Sequence, residues 1–185
     1  MCIRDRDKDE HNLELIYFPK DKGNPKWKKE SSNPFLGIDH TAIGISDTDE
    51  SLKFYRDVLK LRVAGNSENY GTEQEHLNQV FGARLLITGL TAEQGFGVEF
   101  LEYIAPPGGE PYPIDSTPLD YWHWHTAMEV DDIQGVLQNI NSQNYKVISH
   151  GVSRLDELGY KKAVMVRDPD TVSYTHLTLP TICSV

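Results

Sequence analysis

The sequence predicts an α+β fold that contains two copies of one small unit, each with the element order βαβββ. The tetrapeptide His-Thr-Ala-Ile at residues 40–43 returns as His-Thr-Ala-Met at residues 125–128. Each copy runs into a segment whose apolar residues recur at helical spacing, and shorter β-type runs follow. The repeat therefore predicts two related modules with similar strands at equivalent places.

The first copy begins with a predicted strand over residues 38–46. Alternation along this strand places His40, Ala42 and Gly44 on one face and Ile43 and Ile45 on the other. We therefore expect His40 to project away from the apolar core.

A helix is predicted directly after this strand. Asp47 is a candidate for its N-cap, and Leu52, Tyr55 and Val58 follow at spacings of three, which gives the helix an apolar face. The remaining predicted elements of the first copy are strands at 61–64, 84–88 and 98–104, with a short helix at 73–80. In the second copy they are a strand at 122–130, a helix at 133–140, and strands at 146–149 and 162–166, without a complete fourth strand.

Charge and composition exclude some classes of partner. The chain has 185 residues, 38% of them hydrophobic, and a formal net charge of −10. Nucleic acid and anionic lipid would be repelled by this charge, so neither is predicted as a partner. No apolar run is long enough to span a bilayer, and no signal peptide is recognised, so we predict a cytoplasmic protein.

Both ends of the chain have unusual sequences. Residues 1–6 and 172–185 resemble translated adapter sequence, and we expect them to be non-native. They contain both cysteines, Cys2 and Cys183. Without these ends, the chain would have neither a disulfide nor a thiolate nucleophile.

Four motifs resemble the vicinal oxygen chelate superfamily, which includes glyoxalase I, extradiol dioxygenases and bleomycin-resistance proteins. They are the repeated His-Thr-Ala strand, the helical segment at 51–59, the strand Val-Glu-Phe-Leu-Glu-Tyr at 98–103 and Val-Arg-Asp-Pro-Asp at 166–170. The resemblance covers residues 36–170. It implies paired βαβββ modules that form a cupped mixed sheet.

The resemblance also suggests how the chain is divided. Residues 6–15 are similar to the end of a family module, which implies that the chain is part of a longer protein. The expected last strand of the second module is missing or replaced, and Thr175 stands where a carboxylate is expected. The predicted units are a remnant of a preceding module (1–18), a linker (19–35), the first module (36–106), an intermodule linker (107–121), a truncated second module (122–171) and the adapter-like tail (172–185).

The resemblance implies a divalent metal held by residues of both modules. In a glyoxalase-like scheme the ligands are His40, Glu99, His125 and a last-strand carboxylate, and Glu99 can also act as a catalytic base. In an extradiol-like scheme they are His40, His125 and that carboxylate, with Glu99 as a surrogate. Imidazole and carboxylate ligands suit Fe(II), Mn(II), Ni(II) or Zn(II), and ligand type does not choose among these ions.

Several of these residues have alternatives. Glu102 competes with Glu99, but the two lie on opposite faces of one strand, and Glu99 matches the family motif better. His123 shares a face with His125 and could replace it or contact substrate. Tyr103 shares a face with Glu99 and either contacts substrate or packs in the core. Trp122 and Trp124 lie on the opposite face from the histidines and are predicted to be core residues.

The sequence leaves two functions open, and a third possibility is that the modules are a structural half of a larger chain whose active cleft is assembled elsewhere. One is a metal-dependent enzyme, a dioxygenase or a glyoxalase or lyase, that acts on a small molecule with adjacent oxygens. The other is a metal-free module that binds a small ligand, as bleomycin-resistance proteins do. The modules could pair within one chain or between the two chains of a homodimer, and the substrate stays undetermined.

Overall fold

The computed structural model describes the path of the chain through two modules and an N-terminal hairpin. The described residues are 2–113, 115–117, 119–123, 125–156, 160–170 and 174–180. The hairpin pairs β1 (Cys2–Arg6) antiparallel with β2 (Asn12–Ile16), and a short 3₁₀ helix (Pro25–Lys28) follows. No described helix has the length and apolar character that a membrane crossing requires.

The two modules have their shared elements in the same order, and the first module also contains a short helix between its second and third strands. The first contains β3 (His40–Ile45), α1 (Thr48–Leu52) continued by a π-helix (Lys53–Val58), β4 (Arg62–Tyr70), α2 (Thr72–Asn78), β5 (Arg84–Thr91) and β6 (Gly97–Ala105). The second contains β7 (His125–Glu129), α3 (Ile133–Ser142), β8 (Ser153–Leu155), β9 (Tyr160–Arg167) and β10 (Tyr174–Pro180).

Each module forms a four-stranded mixed sheet. The strand orders are β3-β6-β5-β4 and β7-β10-β9-β8, which are the same order in module terms. In each sheet the first strand lies parallel to the last, β3 to β6 and β7 to β10, and the other pairs are antiparallel. The α+β fold of paired βαβββ modules is therefore confirmed.

The position of the last strand of the second module is occupied in the structure. Residues 174–180, in the segment predicted to be an adapter-like tail, form β10 between β7 and β9. Pro180 lies at the end of this strand, after a shift in register. A proline is tolerated there because the ladder ends at that point and no further N–H donor is needed.

Alternation along β3 and β6 separates a core face from an open face. Ile43 on β3 and Val98 and Phe100 on β6 are almost fully buried. They join one hydrophobic cluster with the helix residues Phe54 and Tyr55 of the first module. The same cluster contains apolar residues of the second module, namely Ile133, Ile140, Val164 and Val166. The two modules therefore share a core.

The first helix is fixed at its N-terminus by two carboxylates. Asp47 is the N-cap, as predicted, and its side chain accepts a hydrogen bond from the Glu50 backbone N–H. Glu102 on β6 accepts from the Thr48 N–H at 3.1 Å and from its hydroxyl at 2.5 Å. The Thr48 N–H is one of the backbone donors that the start of a helix leaves unpaired, and Glu102 accepts its hydrogen bond. Glu102 therefore has a structural role.

Hydrogen bonds from the Arg-Asp-Pro-Asp segment connect the second module to the first helix. The Asp170 carboxylate accepts from the Ser46 backbone N–H at 2.8 Å and from the Ser51 hydroxyl at 2.9 Å. Asp168, from the same segment, accepts from the Tyr55 hydroxyl at 2.9 Å. This motif therefore fixes how the modules pack.

The predicted strand at 146–149 is wrong. Val147 forms only an isolated bridge with Val166, and the strand that pairs with β9 is β8 (Ser153–Leu155). The Ser149 hydroxyl accepts the hydrogen bond of the Met165 N–H, a donor that a longer ladder would use. This side-chain bond uses a backbone donor that further strand pairing would need.

The prediction that Trp122 is a core residue is also wrong. Trp122 is 49% exposed, and its indole N–H donates to the Ser116 hydroxyl at 2.9 Å. It belongs to the loop before β7, because the strand begins only at His125. Trp124 lies outside the described residues.

Candidate functional site

His40 and Glu99 lie together on the open face of the first sheet. His40 begins β3, and Glu99 is on the parallel neighbour β6, in register with Ala42. Imidazole Nε2 lies 3.8 Å from the Glu99 Oε2 atom, with side-chain exposures of 24% and 29%. Both groups are shielded but reachable, as a ligand site requires.

A cleft of about 500 Å³ opens at this pair. Its lining includes Gly89 of β5 and residues of the loop after β5. Asn24 and Lys26, at the start of the 3₁₀ helix, also line the cleft. The Lys26 ammonium donates to the Gly95 carbonyl at 3.1 Å, so the 19–35 segment contacts the site.

The orientation of His40 is fixed by its neighbour Asp39. The Asp39 Oδ2 atom lies 2.9 Å from His40 Nδ1. The other carboxylate oxygen, Oδ1, accepts a hydrogen bond of 2.6 Å from the Trp27 indole N–H. These two bonds leave Nε2 of His40 facing Glu99.

Burial raises the pKa of Glu99, because desolvation disfavours the carboxylate. Positive charge on His40 opposes this rise, and the negative charges of Glu14 and Asp39 add to it. The contribution of Glu14 places strand β2 of the hairpin within electrostatic reach of the site. A bound cation would favour the ionised form of Glu99.

Gly97 lets the two strands approach closely at His40. It is the register partner of His40, and a Cβ atom at this position would lie 3.0 Å from the Leu90 carbonyl oxygen and 3.4 Å from His40 Cβ. A larger residue would have to displace backbone or imidazole. The close approach therefore favours glycine at this position.

Tyr103 lies further along the same face, in a second apolar cluster. It packs with Leu101 and with Leu85 and Ile87 of β5. Its hydroxyl accepts a hydrogen bond from the Asn78 amide of α2, and burial raises the pKa of Tyr103. Tyr103 is absent from the lining of the cleft at His40. Its contact with substrate stays a prediction.

The predicted residues of the second module form a separate pair. The rings of His123 and His125 lie 6.0 Å apart between centroids. The pKa of His123 is lowered by burial and by the charge of His125. Among the described residues, no three His, Cys, Asp or Glu side chains are grouped to hold a metal ion. The structure thus joins His40 to Glu99 and His123 to His125, and the full ligand set stays a prediction.

The donor types at His40 and Glu99 fit a divalent metal. Imidazole nitrogen and carboxylate oxygen bind Zn(II) at about 2.0 to 2.2 Å, so one ion can contact two donors that lie 3.8 Å apart. A carboxylate on the second imidazole nitrogen, as Asp39 provides, is typical of metal-binding histidines.

Sequence reasoning missed Asp39, Lys26 and Trp27. Asp39 stands directly before His40 in the sequence, which was an available signal. Lys26 and Trp27 lie in a segment whose Pro, Gly, Asn and Lys content is typical of a linker. Nothing in that composition indicates that it returns to the sheet.

The fold of this part of the chain is that of a known family. The profile of the Glyoxalase/Bleomycin resistance protein/Dioxygenase superfamily matches residues 37–173. The chain belongs to this superfamily. A comparison with curated proteins gave no match.

Solved structures with the same fold include proteins of several functions. A glyoxalase family protein from Bacillus cereus has 13% identity and a TM-score of 0.66, and the match covers 82% of this chain and 99% of that one. The trypanothione-dependent glyoxalase I of Leishmania major has 22% identity and a TM-score of 0.51, and the match covers 77% of this chain and 86% of that one. A fosfomycin resistance protein from Listeria monocytogenes has 12% identity and a TM-score of 0.51, and the match covers 79% of this chain and 94% of that one. At these identities the likeness concerns the fold.

Proposed function

We propose that the protein is a divalent-metal-dependent enzyme, of the dioxygenase or the glyoxalase or lyase type, that acts on a small molecule with two adjacent oxygens. The observation that carries this proposal is the pair of His40 Nε2 and Glu99 Oε2, 3.8 Å apart in a cleft. Such a pair on rigid neighbouring strands is half of a chelate site. His125 is the proposed third ligand.

The residues of the cleft have distinct proposed roles. His40 and Glu99 would hold the metal, and a bound divalent ion supplies Lewis acidity toward the substrate oxygens. Glu99 is also suited to accept a proton from substrate, because burial raises its pKa above that of an ordinary carboxyl group. Asp39 holds the imidazole of His40 in place.

The volume and lining of the cleft support a small substrate. About 500 Å³ accommodates a compact organic molecule, within the usual range of ligand pockets. Lys26 adds one positive charge to a lining that includes Asp39, Glu93 and Glu99. A glyoxalase I and a fosfomycin resistance protein share this fold, so the family accommodates both metabolic and resistance roles.

A metal-free binding module is the second candidate. It is favoured by the separation of the donors, since no three His, Cys, Asp or Glu side chains of the described residues are grouped to hold a metal ion. In that case the cleft would retain a ligand without chemistry. Its acidic lining would then favour a cationic molecule.

Activity assays with a matched control separate the two candidates. The protein is loaded with Fe(II), Mn(II), Ni(II) or Zn(II) and assayed for hemithioacetal isomerisation and for catechol ring cleavage. We expect one activity that is lost with a chelator and in Glu99→Gln, but kept in Glu110→Gln, which changes an exposed loop carboxylate. Absence of both activities with every metal would contradict the enzyme proposal.

A further inference from the structure

Trp27, Asp39 and His40 form a continuous chain of hydrogen bonds that ends in the cleft. The indole N–H of Trp27 donates to Asp39 Oδ1 at 2.6 Å, and Asp39 Oδ2 lies 2.9 Å from His40 Nδ1. Imidazole Nε2 then faces Glu99. The chain begins in the segment that the sequence predicts to be a linker.

The chemistry of these groups leaves one arrangement of protons. An indole nitrogen only donates, and an ionised carboxylate only accepts. The bond between Asp39 and His40 therefore requires a proton on Nδ1 of the imidazole. In the neutral ring this leaves the lone pair on Nε2, where a metal or a proton donor could use it.

Trp27 is itself held in place by local structure. Asn24 caps the 3₁₀ helix by accepting from the Lys26 backbone N–H, and Lys26 lies 4.3 Å above the indole ring. The backbone at Gly37 approaches this ring, because a Cβ there would lie 3.4 Å from its atoms. The φ angle of +145° at this position also favours glycine. The indole N–H is thus presented to Asp39 by a packed ring.

We propose that Trp27 and Asp39 are positioning residues that fix the tautomer of His40, so that Nε2 is kept free to bind a ligand in the cleft. The role assigned to Nε2 rests on the proposed function, whereas the tautomer does not. The segment 19–35 is then part of the site.

Substitution of Asp39 by Asn gives a sharp test, because the two oxygens of Asp39 are replaced by one acceptor and one donor. The Trp27 N–H needs the amide oxygen, so the amide nitrogen must face His40. Nδ1 must then accept, and the ring proton moves to Nε2. Adding Trp27→Phe removes the indole donor, which lets the amide turn and accept from Nδ1–H again.

The tautomer is measured by ¹⁵N-detected NMR of the His40 ring in metal-free protein. We expect Nδ1–H in the wild type, Nε2–H in Asp39→Asn, and a return toward Nδ1–H in Trp27→Phe/Asp39→Asn. The matched control is Trp122→Phe/Asp39→Asn, which removes an indole donor that bonds Ser116 instead. It should keep Nε2–H. Amide spectra establish that each variant is folded.

Zinc binding provides a second readout of the same variants. Titration of Zn²⁺ into the metal-free protein should show Asp39→Asn and Asp39→Ala weakened by about 10- to 100-fold, the usual effect of losing such a partner. The Trp27→Phe/Asp39→Asn variant should recover part of the loss.

Each outcome has a separate meaning. A single tautomer in all variants, or no difference between the two double variants, would overturn the proposed positioning role of Trp27 and Asp39. If the tautomers change as expected while the wild type binds none of Fe(II), Mn(II), Ni(II) and Zn(II), the positioning role of Trp27 and Asp39 stands and the metal-dependent function fails. If Asp39→Asn does not fold, Asp39→Ala and Trp27→Phe are compared with the wild type for how well ordered the His40 imidazole ring is and for Zn²⁺ affinity. Values unchanged from the wild type in both variants would overturn the proposal.

Discussion

The Tyr55 hydroxyl donates a hydrogen bond of 2.9 Å to the Asp168 carboxylate, and this bond joins the first helix of one module to the Arg-Asp-Pro-Asp segment of the other. Both side chains are almost completely buried, at 1% and 3% exposure. Asp170 adds bonds to Ser46 and Ser51 nearby. The motif that resembles a family signature therefore contributes to module packing.

Removal of the Tyr55 hydroxyl should destabilise the protein. In Tyr55→Phe the ring can still pack, but the buried carboxylate of Asp168 loses a donor. We expect the free energy of unfolding to fall by about 1.5 to 3 kcal/mol, the range for hydrogen bonds to charged groups. Urea denaturation measures this change. Tyr70→Phe, at a residue that is 71% exposed, is the control, and an equally small effect of both variants would argue against the role of this bond.

Glu99 should make stability depend on pH. Its folded pKa is raised above the ordinary value of 4.5, so its contribution to stability is full below that pH and is lost as the pH rises through the folded pKa. The neutral isostere in Glu99→Gln avoids this loss. We expect the metal-free variant to be more stable than the wild type at pH 7, with a difference that diminishes toward pH 4. Thermal unfolding across this pH range measures the effect, and an equal difference at every pH would contradict it.

Gly97→Ala should disturb both the sheet and the site. The added methyl group would lie 3.0 Å from the Leu90 carbonyl oxygen and 3.4 Å from His40 Cβ. We expect a loss of about 1 to 3 kcal/mol in stability, as for overpacking, together with weaker Zn²⁺ binding. The matched control is Gly44→Ala on the same face, where a Cβ meets no atom within 4 Å. Equal behaviour of the two variants would show that the close approach at Gly97 has no effect.

His11 should titrate above its ordinary pKa of 6.5. Asp7 and the Tyr121 carbonyl accept from its two ring nitrogens, at 3.0 Å and 2.9 Å, which requires the protonated ring. This contact contributes fully below the ordinary pKa and is lost as the pH rises through the raised pKa. NMR titration should show a lower His11 pKa in Asp7→Asn than in Asp9→Asn, since Asp7 is the main cause of the shift. The reverse order would contradict the assignment.

The sheet pattern of the first module could be predicted because alternation carries it. Ile43 and Ile45 are buried and His40 turns to the open face, as the period of the strand requires. The same alternation places Glu99 and Glu102 on opposite faces of β6, and in the structure Glu102 accepts a hydrogen bond from the N-terminus of the first helix. The prediction of a strand at 146–149 was wrong because the Ser149 hydroxyl accepts the Met165 N–H bond of β9. The spacing of hydrophobic residues does not reveal such a bond.

The supporting residues of the site could not be predicted from periodicity. Trp27 reaches Asp39 because the chain between them folds back, and that path depends on tertiary contacts of a turn-rich segment. The ligand set across the modules has the same difficulty. The repeat places His40 and His125 at equivalent positions of the two modules. The distance between them depends on how the two sheets pack, and the sequence pattern does not give that distance.

Metal content after reconstitution with Fe(II), Mn(II), Ni(II) and Zn(II), measured by elemental analysis of the wild type, His40→Ala and His76→Ala, is the direct test of the proposed metal centre. His76 is an exposed histidine on α2 and serves as the control. We predict near-stoichiometric metal in the wild type and in His76→Ala, and its loss in His40→Ala. No bound metal in the wild type, or full retention in His40→Ala, would contradict a metal centre at His40 and Glu99.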